Sequence, residues 1–159
     1  MEILDLERTE HPETWLSQIA ECGWRAGPFL RAMLTEGRFH ECCGDKARVL
    51  LLTEGEKLAS FCTYAERDDI PDTALTPWLG FVCTCPDYRG RRLMGKLIGR
   101  VKELARDDGY DTLWISTGET GLYEKYGAEY AMTLKDSRGR TAAFTGWIPT
   151  GFTAMKRRT

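Results

Sequence analysis

The sequence predicts a single α/β (α+β) domain, and three observations carry that prediction. An apolar strand, Pro77 to Thr84, runs almost directly into an amphipathic helix, Arg91 to Asp108. A second apolar strand, Thr112 to Ser116, follows the helix, which is the succession of a βαβ unit. Alternating segments on either side pair off as β-hairpins. At 159 residues the chain can hold one sizeable core but not two ordinary domains.

Taken in order, Thr9 to Gly23 reads as a first helix, with Pro12 near its start, Trp15, Leu16, Ile19 and Ala20 at helical spacing, and Gly23 as its stop. A second helix, Pro28 to Glu36, gathers Phe29, Leu30, Met33 and Leu34 on one side before Gly37. This pair is expected to form a flap. Ala47 to Thr53 and Lys57 to Glu66 flank the turn Glu54-Gly55-Glu56 as a β-hairpin. The acidic segment Glu66 to Asp72 is an exposed loop, because proline and clustered carboxylates suit neither ladder nor core.

The run Pro77 to Thr84 is apolar nearly throughout, so it is expected at the centre of the sheet, covered on both faces. In the following helix Leu93, Leu97, Val101 and Leu104 recur at intervals of four, four and three, and Gly109 ends it. Leu122 to Tyr126 has room for about one and a half turns, closed by Gly127. Tyr130 to Lys135 and Thr141 to Trp147 make a closing hairpin around Asp136 to Arg140, and the tail Met155 to Thr159 is expected to fray.

A formal net charge of −2 with 29% charged residues gives no global field for nucleic acid or an acidic membrane. No apolar run approaches the roughly 20 residues that span a bilayer. Six cysteines without a signal peptide read as reduced thiols of a cytoplasmic protein. Cys83 and Cys85 are expected on opposite faces of a strand as small core residues. His40-Glu41-Cys42-Cys43 lacks the spacing of a zinc site, so no metal is expected.

The chemistry concentrates where strand turns into helix. Pro86 ends the strand, Gly90 makes the turn, and Arg89, Arg91, Arg92 and Lys96 surround the helix start. A helix N-terminus presents unpaired N–H groups and roughly half a positive charge, so a phosphorylated cofactor fits there. The plainer reading is a solvated basic helix face. Neither Gly-x-x-x-x-Gly-Lys-Ser/Thr nor Gly-x-Gly-x-x-Gly is present.

The order strand, Pro86-Asp87-Tyr88-Arg89-Gly90-Arg91-Arg92-Leu93-Met94-Gly95, helix, strand, then Gly121-Leu122-Tyr123-Glu124-Lys125-Tyr126-Gly127 resembles the GCN5-related N-acetyltransferase (GNAT) superfamily. The resemblance covers roughly residues 78 to 130. It implies a mixed, mostly antiparallel sheet of six to seven strands flanked by helices and splayed at the cofactor-binding strand. It also implies acetyl-CoA as donor, with pantetheine along the backbone of Val82, Cys83 and Thr84. The pyrophosphate would lie on Arg89, Gly90, Arg91, Arg92, Leu93, Met94, Gly95 and Lys96. Arg92 and Met94 stand where the family usually has small residues, so their side chains must point away from the ligand or, for Arg92, reach its phosphates.

By the same resemblance Tyr123 donates a proton to the departing thiolate, ahead of Tyr126; the plainer reading of Tyr123 is a packing tyrosine. The resemblance also implies direct attack by the amine, without an acyl-enzyme; Cys83 or Cys85 as an acyl-carrying nucleophile is the alternative, with no histidine near either in sequence. A carboxylate should serve as base, and Glu66, Asp68, Asp69 and Glu119 lie on segments that could border the cleft. As a group they suggest a cationic acceptor. The expected activity is acetyl transfer to an amine of a small molecule or a peptide or protein. The competing readings are a non-catalytic CoA-binding sensor and a redox or metal protein built on the cysteines. The strand Thr141 to Trp147 could pair across a two-fold axis, giving a possible homodimer.

Overall fold

The computed structural model describes residues 1–147, so the tail from Met155 lies outside the described residues. One seven-stranded sheet runs in the order β1-β2-β3-β4-β5-β7-β6. Its strands are β1 (Glu2–Asp5), β2 (Arg48–Glu54), β3 (Lys57–Ala65), β4 (Trp78–Thr84), β5 (Leu113–Thr117), β6 (Glu129–Lys135) and β7 (Thr141–Trp147). The helices are α1 (Pro12–Glu21), α2 (Ala26–Thr35), α3 (Phe39–Cys43) and α4 (Met94–Asp107). Every neighbouring pair is antiparallel except β4 and β5, which α4 connects in parallel.

The hairpin β2–β3 and the unit β4-α4-β5 lie where the sequence predicts them. Two elements were not predicted. β1 is four residues with polar ends, and α3 is five residues, each too short to show a period. β7 has β5 on one side and β6 on the other, so it has no edge to offer a second copy; the sheet edges are β1 and β6.

Strand alternation divides the core between the two faces of the sheet. Val49 and Leu51 face Ile19, Leu30, Met33 and Phe39 of α1, α2 and α3, whereas Leu50 and Leu52 face Leu97, Ile98, Val101 and Leu104 of α4. Each of these buried apolar side chains contributes about 1.5–3 kcal/mol relative to leaving it in water. α4 has its apolar residues at every third or fourth place, and Gly109, at φ +85°, ends it.

The expected flap is a structural layer instead. Ile19 and Leu30 are fully buried, and α1 and α2 approach so closely that a side chain at Gly27 would strike the carbonyl of Ile19. The connection between the two helices, Cys22 to Arg25, and one side of α2 reach the region described next.

Candidate active site

The central strand carries an irregularity that builds the site. Phe61 of β3 stands opposite Cys83 of β4 and Thr63 opposite Gly80, so one residue of β3 faces two of β4, Phe81 and Val82. That is a β-bulge, and Phe81 takes it up at φ +47°, a conformation that non-glycine residues avoid. On its other side β4 pairs with β5 only at Trp78 with Trp114 and Leu79 with Ile115. Beyond Leu79 the two strands part. The β3 side stays held, with Ser60 Oγ donating to the carbonyl of Cys83 at 2.7 Å, while the β5 side of Gly80 to Thr84 lacks a strand partner.

A cavity of about 650 Å³ opens along this unpaired edge. Val82, Cys83 and Thr84 form one wall, and Arg89, Gly90, Arg92, Leu93 and Met94 form the end at the start of α4. Glu119, Leu122, Tyr123 and Tyr126 close the far side, with Trp24 reaching over from the α1–α2 connection. Three predicted residues lie outside this lining. Arg91 stacks its guanidinium 5.3 Å from the ring centre of Tyr88, Lys96 is exposed, and Gly95 sits against Tyr126, where an added Cβ would come within 3.1 Å of the ring.

The end of the cavity is electropositive for two reasons. α4 begins without a side-chain cap, so its first N–H groups and its dipole face the turn. Arg89 adds charge and is oriented by donating from Nε to the carbonyl of Thr84 at 3.3 Å. Gly90 is at φ +80° and Arg92 at φ +54°, so the turn uses the left-handed region twice, once with a residue suited to it and once without.

Tyr123 stands immediately before a short 3-10 turn, Glu124–Tyr126, and is only 7% exposed. Its ring is edge-on to Trp147 at 6.5 Å. Burial, helped by Cys62, Glu119 and Tyr126 nearby, raises its hydroxyl above the ordinary tyrosine pKa. That hydroxyl has no hydrogen-bond partner among the described residues. Tyr126 differs: it packs on Gly95, and its carbonyl accepts from Trp147 Nε1 at 2.8 Å.

The cysteines require a correction. Residues two apart on a strand share a face, and Cys83 and Cys85 both point to Cys22, whose Sγ is 3.0 Å from each of theirs. Contact with Cys83 pushes the Cys22 thiol up to about 12, and Cys83 is lowered by the same contact. All six cysteines are free thiols, and among the described residues no set of three or more His, Cys, Asp or Glu side chains is arranged to hold a metal ion.

A second cavity, of about 880 Å³, lies on the other side of the bulge. Gly80 and Phe81 line it, so the consecutive residues Phe81 and Val82 belong to different cavities. Arg25 and Phe29 from α2 and its approach form one wall. Arg67, Asp68 and Asp69 of the acidic loop and Ser137, Arg138 and Arg140 of the β6–β7 turn form another. The turn is fastened to the loop by the Ser137 N–H donating to the Asp69 carbonyl at 3.1 Å.

The four candidate carboxylates therefore separate. Glu119 borders the first cavity, Asp68 and Asp69 the second. Glu66 lines neither and accepts the Lys46 N–H at 2.7 Å. Burial raises the Asp68 carboxyl above the usual carboxylate range, although it accepts the Asp69 N–H. Trp24, Arg25, Phe29 and the β6–β7 turn were not foreseen. Trp24 to Phe29 and the β6–β7 turn lie more than a hundred residues apart in the chain, and no spacing links them.

Among the described residues no helix is long and apolar enough to cross a membrane. No curated protein matches the sequence. Solved structures do match in fold. An acetyltransferase from Streptococcus agalactiae has a TM-score of 0.65 at 20% identity, over 92% of this chain and 97% of its own. A GNAT family acetyltransferase from Elizabethkingia anophelis with acetyl-CoA bound gives 0.62 at 14% identity, over 92% and 97%. An aminoglycoside 6'-N-acetyltransferase complexed with coenzyme A gives 0.64 at 13% identity, over 93% and 97%. These likenesses concern the fold. The sequence itself matches the model of the acetyltransferase (GNAT) family over residues 2–128, which spans the bulged strand, the basic turn and the Tyr123 segment. A parallel pair that parts beside a bulge, with a helix start at the end of the opening, is thus this family's fold carried by this family's sequence pattern, and the chain belongs to the GNAT acetyltransferases.

Proposed function

We propose that this protein is an N-acetyltransferase that takes acetyl-CoA into the first cavity and an amine into the second, and joins them at the bulge of β4. The observation that carries this reading is that Phe81 and Val82, neighbours in sequence, line two different cavities. Reactants held one in each can meet without an acyl-enzyme.

The residues present fit the cofactor. The unpaired edge of Val82 to Thr84 can pair with an extended amide-bearing chain as an added strand would. The uncapped start of α4, with Arg89 beside it, suits a pyrophosphate. Bound acetyl-CoA supplies an acyl group activated as a thioester. Backbone N–H groups near Val82 would hold the acyl oxygen as it gains charge. Tyr123 keeps its proton well above neutral pH, so it can give it to the thiolate that leaves. Asp68, raised by burial, is a stronger base than an ordinary carboxylate and takes the amine proton, directly or through water.

The test is release of free thiol from acetyl-CoA in the presence of a panel of amines, with calorimetric binding of acetyl-CoA measured on the same protein. Turnover with at least one amine is expected. Tight binding with no thiol released across the panel would overturn the reading in favour of a non-catalytic CoA sensor.

A further inference from the structure

The second cavity has a composition that selects among amines. Four arginines and two aspartates line it, so cations outnumber anions. Arg140 is held by Asp136, Nη2 to Oδ2 at 2.7 Å, and Arg67 donates to the carbonyl of Glu41 at 2.7 Å. Arg25 and Arg138 are exposed and form no ion pair among the described residues. They line the cavity from the residue that precedes α2 and from the β6–β7 turn.

The same mouth is aromatic. Phe29 lies stacked on Phe81, ring centres 6.2 Å apart and planes within 14°, and Trp24, which lines the first cavity, meets Phe81 edge-on at 6.2 Å. Phe29 is 53% exposed and Trp24 37%, two of the four large hydrophobic side chains exposed to that degree among the described residues. Exposed aromatics beside an opening are a surface for an apolar ligand body.

A polyamine or aminoglycoside, carrying several positive charges, meets a surplus of arginine here, which opposes it. We propose that the acceptor is a free amino acid with a large apolar side chain: its carboxylate lies between Arg25 and Arg138, its side chain against Phe29 and Phe81, and its amine toward Asp68. This rests on the second cavity being the acceptor side, as above. In the transfer the amine nitrogen forms a bond to the acetyl carbon as the carbon–sulfur bond breaks. The amine's proton passes to Asp68 and the thiolate receives one from Tyr123, giving an N-acetylamino acid and CoA.

The experiment compares L-phenylalanine, its amide and kanamycin as acceptors by thiol release, and measures their binding to the CoA-loaded protein by calorimetry. Phenylalanine should exceed its amide in kcat/KM by about ten- to a hundred-fold, the worth of hydrogen bonds to a charged group. Replacing Arg25 and Arg138 together by alanine should erase that ratio while changing turnover of the amide less than about threefold. Equal or better use of the amide, preference for kanamycin, or no binding of phenylalanine at millimolar concentration overturns the assignment. Selective binding of phenylalanine without thiol release supports the assigned specificity and instead removes the transferase reading.

Discussion

The two cavities that meet at β4 are made of different materials. The first is built largely from backbone: an unpaired strand edge, a left-handed turn and the start of α4. The second is built from side chains, arginines, aspartates and phenylalanines brought from four segments. A backbone site depends on where the chain runs, so it tolerates Arg92 and Met94 in places that suit small residues. A side-chain site depends on which residue stands at each position, and there a single substitution changes what is recognised.

The largest effect is expected where the two cavities share a task. Tyr123→Phe keeps the ring against Trp147 and removes only the hydroxyl. Thiol release should fall about 10²-fold or more, with acetyl-CoA affinity within about twofold of the parent. A loss below about threefold would make Tyr123 a packing residue and leave the first cavity as a binding site alone.

Asp68→Asn comes next and probes the side-chain cavity. We expect a loss of about tenfold or more at neutral pH. In the parent, kcat/KM should fall on acidification at a pH above the ordinary carboxylate range, because burial raises Asp68, and the variant should lose that limb. Stability runs the other way. With its folded pKa raised, Asp68 favours the fold at low pH, and that contribution disappears as pH rises through the folded value. The asparagine variant should therefore melt higher than the parent at pH 8 and no higher at pH 3, in parallel thermal scans. A shared acid limb in both proteins would move the base elsewhere.

The same division explains what the sequence disclosed. The first cavity could be read because β4, the basic turn and α4 are contiguous, and the change from a nearly unbroken apolar run to apolar residues at every third or fourth place marks where they join. The hairpin β2–β3 and the strand β5 were legible for that reason too. The splay could be inferred only through the family resemblance, since the register shift opposite Cys62 leaves no sign in composition. The second cavity was invisible. Arg25 reads as a loop residue, Phe29 as one of several apolar residues on α2, and Arg138 as part of a hairpin turn, and only the fold brings them to Asp68. The cysteines show a different failure: Cys83 and Cys85 are visibly two apart, but the partner that gives them meaning, Cys22, is supplied by the α1–α2 connection.

Arg89→Glu tests whether the first cavity needs any side chain. It reverses charge at the start of α4 and breaks the bond to the Thr84 carbonyl. Calorimetry should show acetyl-CoA binding weakened about tenfold, with the ratio of phenylalanine to its amide unchanged. Unchanged affinity would leave the cradle to backbone alone.

The smallest effect belongs to Arg92, and it divides backbone from side chain at one residue. At φ +54° a residue with a Cβ is disfavoured by about 1–2 kcal/mol, which glycine escapes. Glycine also loosens the unfolded chain, at a cost of about 0.4–1 kcal/mol. Arg92→Gly should therefore gain between nothing and about 1.6 kcal/mol, seen as a rise in Tm of no more than about 6 °C. Arg92 lines the first cavity but is exposed, so water already screens its guanidinium. Its N–H is kept by glycine. Acetyl-CoA affinity should thus drop less than about threefold, against about tenfold for Arg89→Glu. A drop as large as that for Arg89 would mean that the Arg92 side chain holds phosphate, and that the strain at this position is retained for binding.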